Sequence, residues 1–243
     1  MLPGWNTQPV RPVCRRGFTI IELVIILVVL GLLGALILPA LAHARHQSRA
    51  NRCIDNSRHI GAAFATYADN NDGRFVPFKK NEACPGGSVV PGASDEHTYW
   101  PDLLREYAGH EDIWHCPSCR GQFGIGYSEL VAGGHVKRES ELAAPAATVV
   151  FGDTDVIANP SDVPDAWRPS EATVGEARNR LQFEIPSSPK WRRKKGQGAR
   201  RIWNRHMKRA TVVFADQHAE VLPVSHLGFQ ENASVPQRLW DEQ

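Results

Sequence analysis

Five cysteines, ten histidines and a few acids at the ends of apolar runs are the residues of this 243-residue chain that can carry chemistry. The tightest spacing is Cys116-Pro117-Ser118-Cys119. A C-x-x-C pair supports thiol–disulfide exchange or supplies part of a zinc site. Zinc takes about four ligands, and neither a second C-x-x-C nor a paired histidine motif follows; His110, His115 and His135 stand singly. Thioredoxin-like chemistry needs a βαβ frame and a helix opening after the first cysteine, for which Pro117 is slender support. A structural disulfide is the expected use, and a secreted thiol–disulfide enzyme on Cys116 and Cys119 is the alternative. Asp69-Asn70-Asn71-Asp72-Gly73 invites a calcium reading, but an EF-hand loop needs glycine sixth from the first acid and a distant glutamate. Here glycine is fifth, so the stretch reads as a turn.

The element that organises the chain lies before these residues. From Phe18 to Leu41 the sequence is apolar except for Glu22. As a helix rising about 1.5 Å per residue, the run is about 36 Å long, enough to cross a bilayer with some tilt. It has no polar face, unlike a helix on a soluble core. A signal peptide cut at Ala42-His43-Ala44 competes with this reading, but its apolar core would be about 7–15 residues and free of acid. An acid within a spanning segment points to function and to a partner.

Arg15-Arg16-Gly17-Phe18-Thr19-Ile20-Ile21-Glu22 resembles the prepilin cleavage and methylation signature of type IV pilins and type II secretion pseudopilins. The resemblance implies cleavage after Gly17 by prepilin peptidase and N-methylation of Phe18. Glu22 falls where the family has its assembly glutamate, and Pro39 where it often has a helix-bending proline. It also implies an inner-membrane, single-pass protein, with residues 1–17 a cytoplasmic leader and the body periplasmic. Arginine counts do not set that orientation, because Arg45, Arg49, Arg52 and Arg58 follow the span. Cys14 would leave with the leader. The four remaining cysteines, Cys53, Cys84, Cys116 and Cys119, are disulfide candidates with three connectivities open.

Residues 18–41 therefore read as the transmembrane half of a long helix and 42–72 as its amphipathic half. Ala50, Cys53 with Ile54, Ser57, Ile60 with Gly61, Phe64 and Tyr67 with Ala68 recur there at helical spacing. Pro39 removes one backbone bond and is expected to bend the helix without ending it. Residues 73–243 are expected to form one globular domain, with a short helix at Trp100–Tyr107. The net charge of +2 names no partner.

Ala147–Asp153 is nearly repeated as Ala210–Asp216, which predicts two neighbouring antiparallel strands. A two-residue turn at Asp216-Gln217 would put Val212, Phe214, Ala219 and Val221 on the helix-facing side and Val213 opposite Glu220. His206, nine residues, then Asp216 is similar to the carboxy-terminal "His, nine residues, Asp-Gly" pattern of a prepilin family abundant in Planctomycetes and Verrucomicrobia. Cys53 with Asn56, the Asp69–Gly73 loop, Cys116-Pro117 and the strand ending at Asp153 resemble the same family, which has glycine where this chain has Gln217. Glutamine there strains a primed turn by about 1 kcal/mol or selects another turn type. Along an extended strand His206 and Asp216 stand about 30 Å apart and cannot share an ion unless the chain folds back before Ala210, so structural roles at strand entry and exit are expected. Asp153, Asp155 and Asp216 are weak calcium candidates, ranked below solvated turn acids.

The basic segment 188–209 interleaves Lys190, Arg192, Arg193, Lys194, Lys195, Arg200, Arg201, Arg205, Lys208 and Arg209 with Trp191 and Trp203. Such a run suits nucleic acid or a lipid surface, and a solvated loop is the favoured reading. The expectation is an α+β, pilin-like fold: a long amino-terminal helix packed on a small antiparallel sheet. The expected protein is a structural filament subunit, not an enzyme, with no cofactor. Its expected partners are prepilin peptidase, other pilin or pseudopilin subunits, the inner-membrane assembly platform and membrane lipid. A DNA-binding competence pilin is the alternative.

Overall fold

The computed structural model describes residues 17–94, 96–109, 111–119, 123–134, 138–161, 163–170, 180–186 and 199–229. The leader before Gly17 and the basic run from Lys190 to Gly198 lie outside the described residues.

Helix α1 runs Ile20–Asn70, and Pro39 lies inside it without ending it. Its first turn is closed by a reciprocal cap. Glu22 Oε2 accepts hydrogen bonds from the Thr19 backbone N–H and hydroxyl, each at 2.8 Å, and the Glu22 N–H donates to Thr19 Oγ1 at 3.3 Å. Threonine followed three residues later by glutamate is the sequence signature of that cap. From Ile20 to Leu41 no side chain is buried. This apolar, uniformly exposed stretch is long enough to cross a membrane. At the other end, the Gly73 N–H donates to Ala68 O at 2.8 Å with Gly73 at φ +72°. The Asp69–Gly73 loop is thus a helix-stopping turn, and glycine supplies its left-handed residue.

Two compact units divide between Ala44 and Arg45. Within the second, α1 buries Ala50, Cys53, Ser57, Ile60, Gly61, Phe64 and Tyr67 of the expected stripe at 3.6-residue spacing, and Ala63 as well, while Ile54 and Ala68 are half-buried. Beyond it come the short strands β1 (Lys79–Lys80) and β2 (Thr98–Tyr99), paired antiparallel, and α2 (Trp100–Leu104), which runs into a 3-10 turn at Arg105–Tyr107. Strand β3 (Ile125–Ser128) leads to α3 (Glu129–Ala132). Then follow β4 (Val149–Ile157), β5 (Gln182–Phe183), β6 (Ala199–Ile202), β7 (Ala210–Phe214) and β8 (Ala219–Leu222).

The main sheet has the order β5-β3-β4-β7-β8, with β6 also on β4. The two echoed segments are antiparallel neighbours, Phe151 opposite Val213 and Gly152 opposite Val212, with a register shift between Val149 and Phe151. The expected purely antiparallel sheet is corrected at its edge, where β5 pairs parallel with β3. A connection as long as that between Ser128 and Gln182 lets the chain return in the same direction. The fold is α+β with a mixed sheet.

The β7–β8 hairpin also departs from expectation, by one residue. Val213 pairs with Ala219 and Val212 with Glu220. The loop has three residues, Ala215-Asp216-Gln217: the Phe214 N–H donates to His218 O and the Gln217 N–H to Phe214 O, both at 2.9 Å. Gln217 takes φ 78°, the left-handed third residue of a three-residue hairpin loop. A one-residue slip exchanges the faces of the strand, so Val213, not Val212, looks at α1. A Cβ added to Gly61 would lie 3.0 Å from both Val213 Cγ1 and Gln217 O. On the same face Phe64 meets Phe151 and Tyr127 with ring centroids 5.3 and 6.0 Å apart, and Trp100 meets Phe151 at 5.0 Å. Burying each such side chain is worth about 1.5–3 kcal/mol, and together they seat the helix on the sheet.

Candidate functional site

Four elements bring one side chain each to a single buried point. Cys53 comes from the stripe on α1. Cys116 follows the 3-10 turn Glu111–Trp114, and its loop is tied to α1 by Asn56 Nδ2 donating to His115 O at 2.8 Å. Asp153 sits in β4 opposite Ile125. His206 opens a tight reversal after β6, in which His206 and Arg209 exchange backbone hydrogen bonds of 2.8 and 2.9 Å while Met207 and Lys208 take φ 45° and 64°. Positive φ at both central residues makes it a primed turn.

Cys53 and Cys116 are joined as a disulfide, their Cα atoms 5.4 Å apart. His206 Nε2 lies 3.3 Å from Cys116 Sγ and 3.5 Å from Asp153 Oδ2. One sulfur, nitrogen or oxygen from each of Cys53, Cys116, Asp153 and His206 lies within 4.8 Å of all the others, and all four residues are buried.

The carboxylate of Asp153 is held from two sides. Arg205 Nη1 donates to Oδ1 at 2.8 Å and the Thr211 N–H to Oδ2 at 2.7 Å. Arg205 also donates to Gly124 O and Thr154 O, each at 2.6 Å. Behind it Arg180 Nε donates to Asp155 Oδ1 at 2.9 Å. Two buried acids are thus matched by two buried arginines, as burial of charge requires. Burial works against the charge of Arg205, but Asp153 with Cys119 and Asp155 outweighs it and holds its pKa above the ordinary value. Burial dominates at His206, lowering its pKa despite Asp153 nearby. The imidazole is therefore neutral near pH 7, with one ring nitrogen free of a proton.

The expected site residues divide around this point. Cys53, Asn56, Cys116, Asp153 and His206, scattered over 154 positions of sequence, meet in one place. The C-x-x-C does not close on itself: Cys116 bonds to Cys53, and Cys119 remains a thiol whose sulfur meets Phe123 O at 3.2 Å. Cys84 is likewise a thiol, 3.3 Å from Gly87 O. The four candidates therefore yield one disulfide and two thiols.

Asp216 is separate from His206 and interacts with His218 in the β7–β8 loop. Asp153 and Asp155 do not converge with it as a calcium site, since β4 runs on to Ile157 and both acids turn inward to Arg205 and Arg180. Within the basic segment, Arg201 is buried with its guanidinium 4.7 Å from the Trp167 ring centroid, and Arg200 lies 3.5 Å from Glu184. With Arg205 internal as well, three of its cations face the fold. Lys190 to Lys195 lie outside the described residues.

Chemically, all four side chains are of types that can ligate a metal. Two sulfurs, an imidazole and a carboxylate suit a borderline-soft metal, and a disulfide uses only the two sulfurs. The four residues lie far apart in sequence, and the reversal at Met207-Lys208 is what turns His206 back toward Asp153. Compared with protein-family models, curated proteins and solved structures, the chain matches none.

Proposed function

We propose that the chain is a prepilin-like structural subunit of a type II secretion pseudopilus or a related type IV filament, and not an enzyme. One observation carries the reading. Gly17-Phe18-Thr19-Ile20-Ile21-Glu22 opens a single helix whose first half is apolar and exposed on every side and whose second half carries an α+β domain. An anchor alone needs neither the acid in that apolar half nor the glycine–phenylalanine junction before it. On this reading prepilin peptidase cuts after Gly17, Phe18 is methylated, and the apolar half passes from inner-membrane lipid into a bundle of like helices on the assembly platform. The body is periplasmic, consistent with a disulfide.

The DNA-binding alternative is weakened by the inward use of Arg200, Arg201 and Arg205. The thiol-exchange alternative is weakened by the pairing of Cys116 with Cys53 rather than Cys119. Amino-terminal sequencing of the mature protein tests the reading. A methylated Phe18 is the expected start, and a start at Arg45 would mean signal-peptide cleavage and overturn it.

A further inference from the structure

We propose that Cys53, Cys116, His206 and Asp153, with both sulfurs reduced, form a four-ligand site for one zinc-class divalent cation. The inference does not depend on the filament reading.

Distances come first. Tetrahedral zinc with bonds of about 2.0–2.3 Å holds neighbouring ligand atoms about 3.3–3.8 Å apart. Cys116 Sγ to His206 Nε2 is 3.3 Å and His206 Nε2 to Asp153 Oδ2 is 3.5 Å. All four ligand atoms fit within 4.8 Å, so parting the two sulfurs completes the tetrahedron. The donor set then selects the metal. Two thiolates and an imidazole suit zinc and disfavour calcium or magnesium, which take oxygen ligands.

The supporting shell is in place as well. Arg205 and Thr211 orient the Asp153 carboxylate, and Asn56 fixes the Cys116 loop. Outer partners of this kind orient metal ligands. In the disulfide state His206 Nε2 faces Cys116 Sγ, a weak acceptor, at 3.3 Å and the Asp153 carboxylate at 3.5 Å.

Charge supplies an independent argument. Two thiolates and Asp153 carry three negative charges; the cation carries two positive and Arg205 one. The sum is zero in a buried site, and Asp155 with Arg180 beside it also cancels. The disulfide state balances too, with Asp153 against Arg205. Binding exchanges one dication for the two protons of the thiols, so neither state leaves a buried charge uncompensated. Disulfide and metal exclude each other. To pass from one to the other, the disulfide takes two electrons and two protons from a dithiol reductant, which itself becomes a disulfide, and the cation then displaces the two protons. A groove of about 700 Å³ lined by Ala50, Ile54, His206, Met207, Arg209 and Val221 lies beside the site.

The test uses the full-length chain in detergent, reduced with a phosphine under anaerobic conditions and titrated with Co²⁺ and then Zn²⁺. Expected are a thiolate-to-cobalt charge-transfer band with intense visible bands, saturation at one equivalent, and displacement by zinc. His206→Gln and Cys53→Ser weaken binding by at least about tenfold, while the Cys84→Ser/Cys119→Ser double variant titrates like the parent. X-ray absorption at the zinc edge of the unaltered protein, which needs no variant to fold, reports two sulfur and two nitrogen or oxygen neighbours. Absence of the thiolate band in the reduced parent overturns the proposal. So does a band lost in Cys119→Ser but kept in Cys53→Ser, which would assign the ion to the C-x-x-C.

Discussion

Gln217 occupies a backbone conformation that glutamine does not favour, and the cost can be worked out. Its φ of 78° closes the three-residue β7–β8 loop. A residue with a Cβ pays about 1–2 kcal/mol in the left-handed region, while glycine forfeits about 0.4–1 kcal/mol through its freer unfolded chain. Gln217 is exposed, so replacing it removes little packing. Gln217→Gly is therefore expected to stabilise the folded domain by about 0.5–1 kcal/mol. For a domain of 150–250 residues that is a rise of about 1–4 °C in Tm. Gln217→Ala keeps the same backbone penalty and should lie within about 0.5 kcal/mol of the parent, and Gln217→Val should fall below it. Thermal unfolding in one detergent, followed by circular dichroism, separates the three. A glycine variant less stable than the parent would refute the reasoning, because it would mean that the glutamine side chain, not the backbone angle, governs the loop.

Three further outcomes follow from the same geometry. Gly61→Ala pushes a methyl to 3.0 Å from Val213 Cγ1 and Gln217 O, and a urea titration should show a loss of about 1–3 kcal/mol, as overpacking costs elsewhere. Reducing the Cys53–Cys116 disulfide in metal-free buffer opens a link across 63 residues of sequence. The chain-entropy relation puts the loss at about 4 kcal/mol, read as a lower urea midpoint. Burial raises the pKa of Asp165, but hydrogen bonds from Ser225 and Asn204, with His226 nearby, outweigh it and leave the pKa below the ordinary value. That stability is present above the unfolded-state pKa and disappears as pH falls through the folded one, so Asp165→Asn should flatten the acid end of the urea-midpoint profile.

The helix was legible because its signals are local. Apolar composition marks one half, 3.6-residue spacing marks Ala50 to Tyr67, and the glycine after Asp72 marks the stop. The antiparallel partnership of β4 and β7 was legible from their repeated sequence. The hairpin register was not, since one extra loop residue reverses which face is buried and only the backbone angle at Gln217 decides it. The parallel pairing of β5 depends on a long connection whose path has no local code. The four-residue cluster was hidden for a related reason. Spacing rules find ligands that share a helix or a loop, whereas Cys53, Cys116, Asp153 and His206 converge only after the sheet has formed and the chain has reversed at Met207-Lys208. Arg205 read as one cation of a basic run, yet Asp153 draws it inside.

Glu22 has two roles to separate. Its carboxylate closes the first turn of α1 through Thr19, and on the filament reading it also meets the amine freed on a neighbouring subunit's Phe18. A cap needs an acceptor, and an amide oxygen serves; the amine needs a negative charge, because in a low-dielectric bundle an unpaired cation is costly. Glu22→Gln keeps the acceptor and loses the charge, whereas Glu22→Leu loses both. If pairing across subunits is the role that matters, both variants insert in the membrane and both fail to enter filaments, although the helix of the glutamine variant starts as the parent's does. Incorporation of the glutamine variant at parental levels, with only the leucine variant excluded, would reduce Glu22 to a helix cap and remove the pairing from the assembly.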